Sequence, residues 1–248
     1  MNFHASVDIK SAKLLALARE ITEASRMDNA AGIRPIVMSL LPGDYVELHS
    51  FAISVAGFMG LDESAVLMTA ENFEKIVRSG SDPGLVVVIT DGENISRAVQ
   101  ARIVGRGLPN GITPPPIFIV ATNRDPGDLV RDERWVISFR AVFARHWPWP
   151  SIKTRKLEYP KLFRAGVDLA AAEQSLPSPE INGGALKMVR AITIDDVDGA
   201  RAILRLGAKA CSLMHAYGDS RITSQHVLVS LPGTRPSSRP PQESASAS

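Results

Sequence analysis

The sequence has one cysteine, Cys211, in 248 residues. That excludes an internal disulfide and a cysteine-rich metal site, and the count fits a reducing compartment. The five histidines show no metal-ligand spacing, and neither a Ser-His-Asp nor a Cys-His arrangement stands out, so no metal is assigned to His or Cys. No stretch approaches the roughly 18 to 20 consecutive apolar residues of a membrane span, and the N-terminus lacks a charged region followed by an apolar core. A cytoplasmic protein without a membrane span is expected. An excess of one charge is missing too: 28 Lys and Arg against 26 Asp and Glu leave +2, too balanced to mark a nucleic-acid binder by composition. What is present, 45% hydrophobic and 22% charged residues, describes a globular chain of one large domain or two small ones.

Along the chain, residues 3–7 read as a short strand, and residues 12–25 (AKLLALAREITEAS) place Leu14, Leu17, Ala18 and Ile21 on one helical stripe. A second apolar run, PIVMSLL over 35–41, stops at the turn Pro42-Gly43-Asp44. A helix is predicted over 69–79. The run GLVVVIT, 84–90, lacks polar alternation and so suits a strand covered on both faces of a parallel sheet. Residues 95–104 read as a helix, 105–116 as a Gly- and Pro-rich loop, and IFIVA, 117–121, as another buried strand. Strands alternating with helices predict an α/β core. The Pro-interrupted, basic and aromatic segment 145–164 reads as a connection between domains. Beyond it, residues 200–216 carry Ile203, Leu204, Ala208, Cys211 and Met214 at helical spacing, and 222–227 begin one more helix after a capping Thr or Ser. The Pro- and Ser-rich end, 232–248, reads as a disordered tail.

Both buried strands end in polar groups, Asp91-Gly92-Glu93-Asn94 and Thr122-Asn123-Arg124-Asp125. In a doubly wound sheet such ends converge on the ligand crevice. Asp91 and Glu93 are placed as carboxylates must be if one is to hold magnesium and another to orient water; strand-end acids also serve as plain turn residues. Asn123 is suited to bonding a water or a γ-phosphate, or to forming an Asx turn. Lys10-Ser11 stands between a short strand and an amphipathic helix, where a phosphate loop puts its lysine and its magnesium-binding hydroxyl. The eight-residue pattern G-x-x-x-x-G-K-[S/T] then falls on 4–11, with His4 and Ile9 at the glycine positions. Ile cannot cheaply take the positive φ that Gly allows, and a Lys-Ser at a helix start also reads as an ordinary cap. Arg131, Arg134, Arg140 and Arg201 are candidate anion partners.

Taken in order, these residues resemble an AAA+ ATPase module, in particular its MoxR-like and chelatase-type branch. Residues 91–100 (DGENISRAVQ) look like that branch's Walker B strand end and following helix, and 119–123 (IVATN) like a sensor 1 strand. Arg140 is the nearest match to an arginine finger, and Gly199-Ala200-Arg201 resembles sensor 2 at the start of a lid helix. The resemblance spans roughly residues 3–229. It implies a P-loop NTPase-like parallel sheet core with a small C-terminal helical lid domain: core 1–150, connector 151–164, lid 165–231, tail 232–248. It also implies an ATP and magnesium site in which Lys10, Ser11 and Asp91 bind and Glu93, Asn123, Arg140 and Arg201 act. A homo- or hetero-oligomeric ring that remodels a partner protein is expected, with a weak or inactive ATPase because the Walker A and Walker B motifs are degenerate at His4, Ile9 and Gly92.

Two other readings come from overlapping residues. Val7 to Ala12, Leu41 to Phe51 and Thr90 to Glu93 also look like pieces of a von Willebrand factor A domain, a non-enzymatic assembly module. Lys10 and Ala12 occupy the serine positions of its D-x-S-x-S metal site, so that version would be metal-free. Trp147 and Trp149 beside Lys153, Arg155, Lys156 and Lys161 raise single-stranded nucleic acid as a ligand; packing of a domain junction explains the same residues.

Overall fold

The computed structural model describes residues 11–28, 36–40, 44–61, 65–81, 86–104, 117–133 and 146–232. The predicted strand at 3–7, the residues His4, Ile9, Lys10, Arg134 and Arg140, and the tail from 233 lie outside them. The chain divides into two compact units, one of residues 1–155 with 194–201 and one of 156–193 with 202–248.

The first unit is built on five parallel strands: β1 (Ile36–Ser39), β2 (Ala65–Met68), β3 (Val86–Ile89), β4 (Ile117–Thr122) and β5 (His146–Pro148). Their order is β2-β3-β4-β1-β5, with Val86 opposite Ile117 and Ile36 opposite Ile119. The all-apolar runs predicted as strands are β3 and β4, in which every residue is buried. Side chains that alternate along a strand separate onto the two faces, and here both faces are covered. Met38, Val86, Val88, Ile117 and Ile119 pack in one cluster with α1 (Ala12–Asp28) and α2 (Leu48–Phe58). Val37, Val87, Ile89, Phe118 and Val120 pack in the other with α3 (Ala70–Ser79) and α4 (Arg97–Val104). This unit is therefore a helix–sheet–helix sandwich of the α/β class.

Local signals set the ends of α3. The Thr69 hydroxyl caps its start by accepting from the Asn72 amide at 3.2 Å, and Gly80, with φ of +76°, closes it in the left-handed region. A short helix, α5 (Pro126–Arg131), follows β4. The segment read as a pure connection contains β5, because Val37 and Met38 offer a ladder to His146 and Trp147.

The second unit is helical: α6 (Tyr159–Glu173), α7 (Gly183–Ala191), most of α8 (Gly199–Tyr217) and α9 (Ser224–Ser230). A two-residue parallel pair, β6 (Glu180–Ile181) with β7 (Arg221–Ile222), ties the starts of α7 and α9. Each start is capped, α7 by Asn182 accepting from the Gly184 amide at 2.7 Å. At α9 the Thr223 and His226 side chains form a capping box. Among the described residues no helix is long and apolar enough to cross a membrane.

Candidate functional site

The strand order reverses around β1. The chain leaves β1 through α2 toward β2 at one edge, returns through β3 to β4 beside β1, and then places β5 on β1's other side. Ligands of open parallel sheets bind outside the carboxyl ends of the strands at such a switch point. Three neighbouring strand ends meet there: Ser39-Leu40 after β1, Asp91 after β3, and Thr122-Asn123 at β4. The ends of β1 and β4 are tied together, since Leu40 donates its amide to the Thr122 carbonyl at 2.8 Å and the Ser39 hydroxyl donates to the Arg124 carbonyl at 3.2 Å.

Asp91 stands where the sequence placed it, at the end of the buried strand, and both of its carboxylate oxygens are engaged. Oδ1 accepts from the Ala70 amide at 2.6 Å and so supplies the first turn of α3 with an anion; Oδ2 accepts from the Asn94 side chain at 3.2 Å. Gly92, which separates the two acids, is buried against β4. A Cβ there would lie 2.2 Å from the Val120 Cγ1 and 3.0 Å from the Ala121 carbonyl oxygen. Its presence is thus a packing requirement, and it delivers Glu93 onto a 3-10 turn, Gly92–Asn94. The Glu93 Oε2 is buried and has no hydrogen-bond partner among the described residues. Asn123 is exposed. Gln100, one turn into α4, is fully buried and donates from Nε2 to the Ile95 carbonyl at 2.7 Å.

The remaining candidates are dispersed. Ser11 is fully buried and caps α1, its hydroxyl accepting from the Leu14 amide at 3.2 Å. Arg201 lies in the first turn of α8, within the stretch 194–201 that belongs to the first unit; its Nε is buried without a partner among the described residues. Arg131 is exposed on α5. Of the aromatic-basic segment, Trp149 is 8% exposed and packs edge-on against Phe51, ring centroids 5.2 Å apart, and Arg155 is 2% exposed. Neither can serve as a surface contact for a stacked base.

Arg155 leads to the pair that sequence reasoning missed. Its guanidinium grips the Glu47 carboxylate with both prongs, Nη1 to Oε2 at 2.8 Å and Nη2 to Oε1 at 2.6 Å, across 108 residues of sequence. The two side chains are 0% and 1% exposed. Glu47 is the N-cap residue of α2 but makes no side-chain cap; its carboxylate is given to Arg155 instead. No local signal in the sequence could have joined these two positions.

No protein-family model matches the sequence, and no curated protein matches it as a relative. Solved structures do resemble it. NtrX from Brucella abortus in complex with ADP superposes with a TM-score of 0.58 at 13% identity, over 96% of this chain and 58% of that one. The Thermotoga maritima RuvB Holliday junction branch migration motor gives 0.58 at 15% identity, over 90% and 71%. NtrX in complex with ATP gives 0.56 at 13% identity, over 97% and 57%. The fold is that of the AAA+ ATPases. It takes the place of the von Willebrand factor A alternative. The chain spans a little under three fifths of the NtrX chain.

In this AAA+ fold the connection that leaves the switch-point strand and opens a helix is the one from β1 to α2, the strand–loop–helix unit in which a phosphate loop is built. An eight-residue loop beginning where β1 ends covers Leu40 to Glu47, with Leu40 and Tyr45 at the glycine positions, Val46 at the lysine and Glu47 at the Ser/Thr. Independently of that register, residues 40–58 contain neither Lys nor Arg. Val46 is 6% exposed and belongs to the core. These residues do not fit a magnesium nucleotide: the loop brings no cation to the phosphates, and a carboxylate replaces the hydroxyl at the head of the helix.

Proposed function

We propose that this chain is an AAA+-fold subunit that acts through assembly with partner proteins and not through ATP hydrolysis. One observation carries the reading: the β1–α2 connection together with α2, 40–58, is free of Lys and Arg. Phosphoryl transfer is catalysed by positioning and by cations that neutralise the developing charge, and a phosphate loop without its lysine forfeits both. Asp91, which accepts from the Ala70 amide and the Asn94 side chain, already has a role in the fold at the start of α3.

The NtrX structures with ADP and ATP make nucleotide the natural comparison ligand, and the resemblance to AAA+ proteins makes a ring-like homo- or hetero-oligomer the natural assembly. In the ATP-using version of that assembly Lys10 contacts the phosphates, Ser11 and Asp91 hold magnesium, and Glu93 orients water. Asn123 and Arg201 sense the γ-phosphate there, while Arg140 enters a neighbour's site. The burial of Ser11 as a helix cap weighs against that version.

The deciding experiment is calorimetry of the full chain with magnesium ATP, alongside the Lys10→Ala variant, followed by light scattering of both. The expected result is no heat of binding to either protein and an oligomer that forms without nucleotide. Saturable ATP binding to the parent would overturn the proposal, and its loss in Lys10→Ala would place the site at Lys10-Ser11.

A further inference from the structure

We infer that residues 194–198 form a strap that opens on its own, held to the rest of the first unit by a polar latch in which Asp196 takes the Ser151 hydroxyl and Asp195 faces Lys153.

The chain returns to the first unit at 194 and leaves it after 201, within α8. A segment fixed by the core buries apolar side chains, and this one buries none between 194 and 198: Ile194 is half-buried and Val197 is 61% exposed. Burial resumes at Gly199 and Ala200, where α8 begins. The ties of the strap are polar instead. The Ser151 hydroxyl donates to the Asp196 Oδ1 at 2.7 Å, across 45 residues of sequence, and the Lys153 Nζ stands 3.4 Å from the Asp195 Oδ1. Among the described residues these are the only side-chain hydrogen bond and ion pair that Asp195 and Asp196 make. Within the strap the Asp195 carbonyl closes a turn, accepting from the amides of Asp198 and Gly199, both at 3.1 Å.

Ser151 is held ready for its part. Its oxygen accepts from the Lys153 amide at 3.2 Å and its carbonyl from the Thr154 hydroxyl at 2.8 Å, at the start of the 3-10 segment Ile152–Glu158. A hydroxyl has one proton to give, and here it goes to Asp196. The two ties are unequal. A short hydrogen bond to a carboxylate is among the strong ones, whereas an ion pair whose side chains are 48% and 78% exposed is worth little and is screened by salt. A segment that hangs on one such bond, with no buried side chain behind it, opens at a free energy well below that of global unfolding. The strap is therefore a local two-state device placed directly before α8, latched or open, and it works without nucleotide.

The test is hydrogen exchange of the full chain, read by mass spectrometry over 194–199 and over β3 and β4. Asp196→Ala is expected to speed exchange in 194–199 about tenfold, the loss of one hydrogen bond to a charged group. Ser151→Ala should do the same, and the double variant should exchange no faster than either, because both substitutions remove one bond. Lys153→Ala should change the rate less than about twofold. In all four variants β3 and β4 should keep the parent's rates. Unchanged exchange of 194–199 in Asp196→Ala overturns the inference, since the latch then holds nothing. Multiplying effects in the double variant overturn it as well, because the two residues would then act separately. Equal acceleration in β3 and β4 does so too, since the strap would then open only with the whole unit.

Discussion

The close crossing of α6 and α8 in the helical unit gives a quantitative test of the packing. Gly166 and Gly207 face each other's helix backbone. A Cβ on Gly166 would lie 2.0 Å from the Leu204 carbonyl oxygen and 2.8 Å from its carbon, and a Cβ on Gly207 would lie 2.2 Å from the Phe163 carbonyl oxygen. The obstacles are backbone atoms inside helices, so no rotamer change removes them. To reach ordinary van der Waals contact the two helices must separate by more than about 1 Å, which opens gaps along the two facing helices. Overpacking of this kind costs about 1 to 3 kcal/mol, and Ala recovers up to about 1 kcal/mol of helix propensity over Gly. Because the clash is with backbone, we place Gly166→Ala near the upper end, a net loss of about 2 kcal/mol, and Gly207→Ala similarly. One separation relieves both clashes, so the double variant should lose clearly less than the sum of the single losses. Gly57, inside α2 with nothing within 4 Å of its Cβ position, supplies the opposite sign: Gly57→Ala should gain about 0.5 to 1 kcal/mol. Urea unfolding followed by far-UV circular dichroism measures all four. A Gly166→Ala variant as stable as the parent, or fully additive losses in the double variant, would refute the reasoning.

At the strand ends, Gly92→Ala would force a methyl against Val120, whose β-branched side chain is stiff and fully buried. A loss of about 1 to 3 kcal/mol in urea unfolding is expected, and a neutral effect would show that Gly92 serves the turn and not the packing. Cys211 is fully buried, and burial, helped by the nearby Asp168 carboxylate, holds its thiol above the ordinary value. The native chain therefore keeps the thiol proton to higher pH than the unfolded one. Its contribution to stability is intact below a pH of about 8.5 and declines as the pH rises beyond that. Native protein should accordingly react with a thiol reagent only at the rate of unfolding, and prompt labelling without denaturant would contradict the burial.

The parts of the fold that could be read from the sequence are those where one physical cause acts locally. β3 and β4 are runs without polar alternation because both faces of an interior parallel strand are covered, and α3 announces itself through Thr69 and Gly80. The element α2 was not legible: LHSFAISVAGF is apolar nearly all round and gives no clean stripe. Nor was β2, four residues whose neighbours supply the reason for pairing. The β1–α2 connection was not legible for a related cause: a phosphate-loop pattern is marked by its lysine, and there is none between 40 and 58. Topology identifies the β1–α2 connection without reference to any motif, and the ion pair that occupies it joins positions 108 residues apart.

Asp91 shows why residue type and function part company at such a site. A carboxylate at the end of β3 answers two demands: an anion for the first turn of α3, which here takes Oδ1 at 2.6 Å, and a lone pair for a cation. The first is a requirement of the fold and persists in the absence of any substrate. The acid at the end of β3 is therefore needed whether or not the chain binds phosphate, because losing it would leave the Ala70 amide without its acceptor. Glu47 likewise answers to the fold: a carboxylate 1% exposed must bring a counter-charge with it into the dry interior, which is the place Arg155 fills. At both positions the acid meets an electrostatic demand of the fold itself, through partners within the chain.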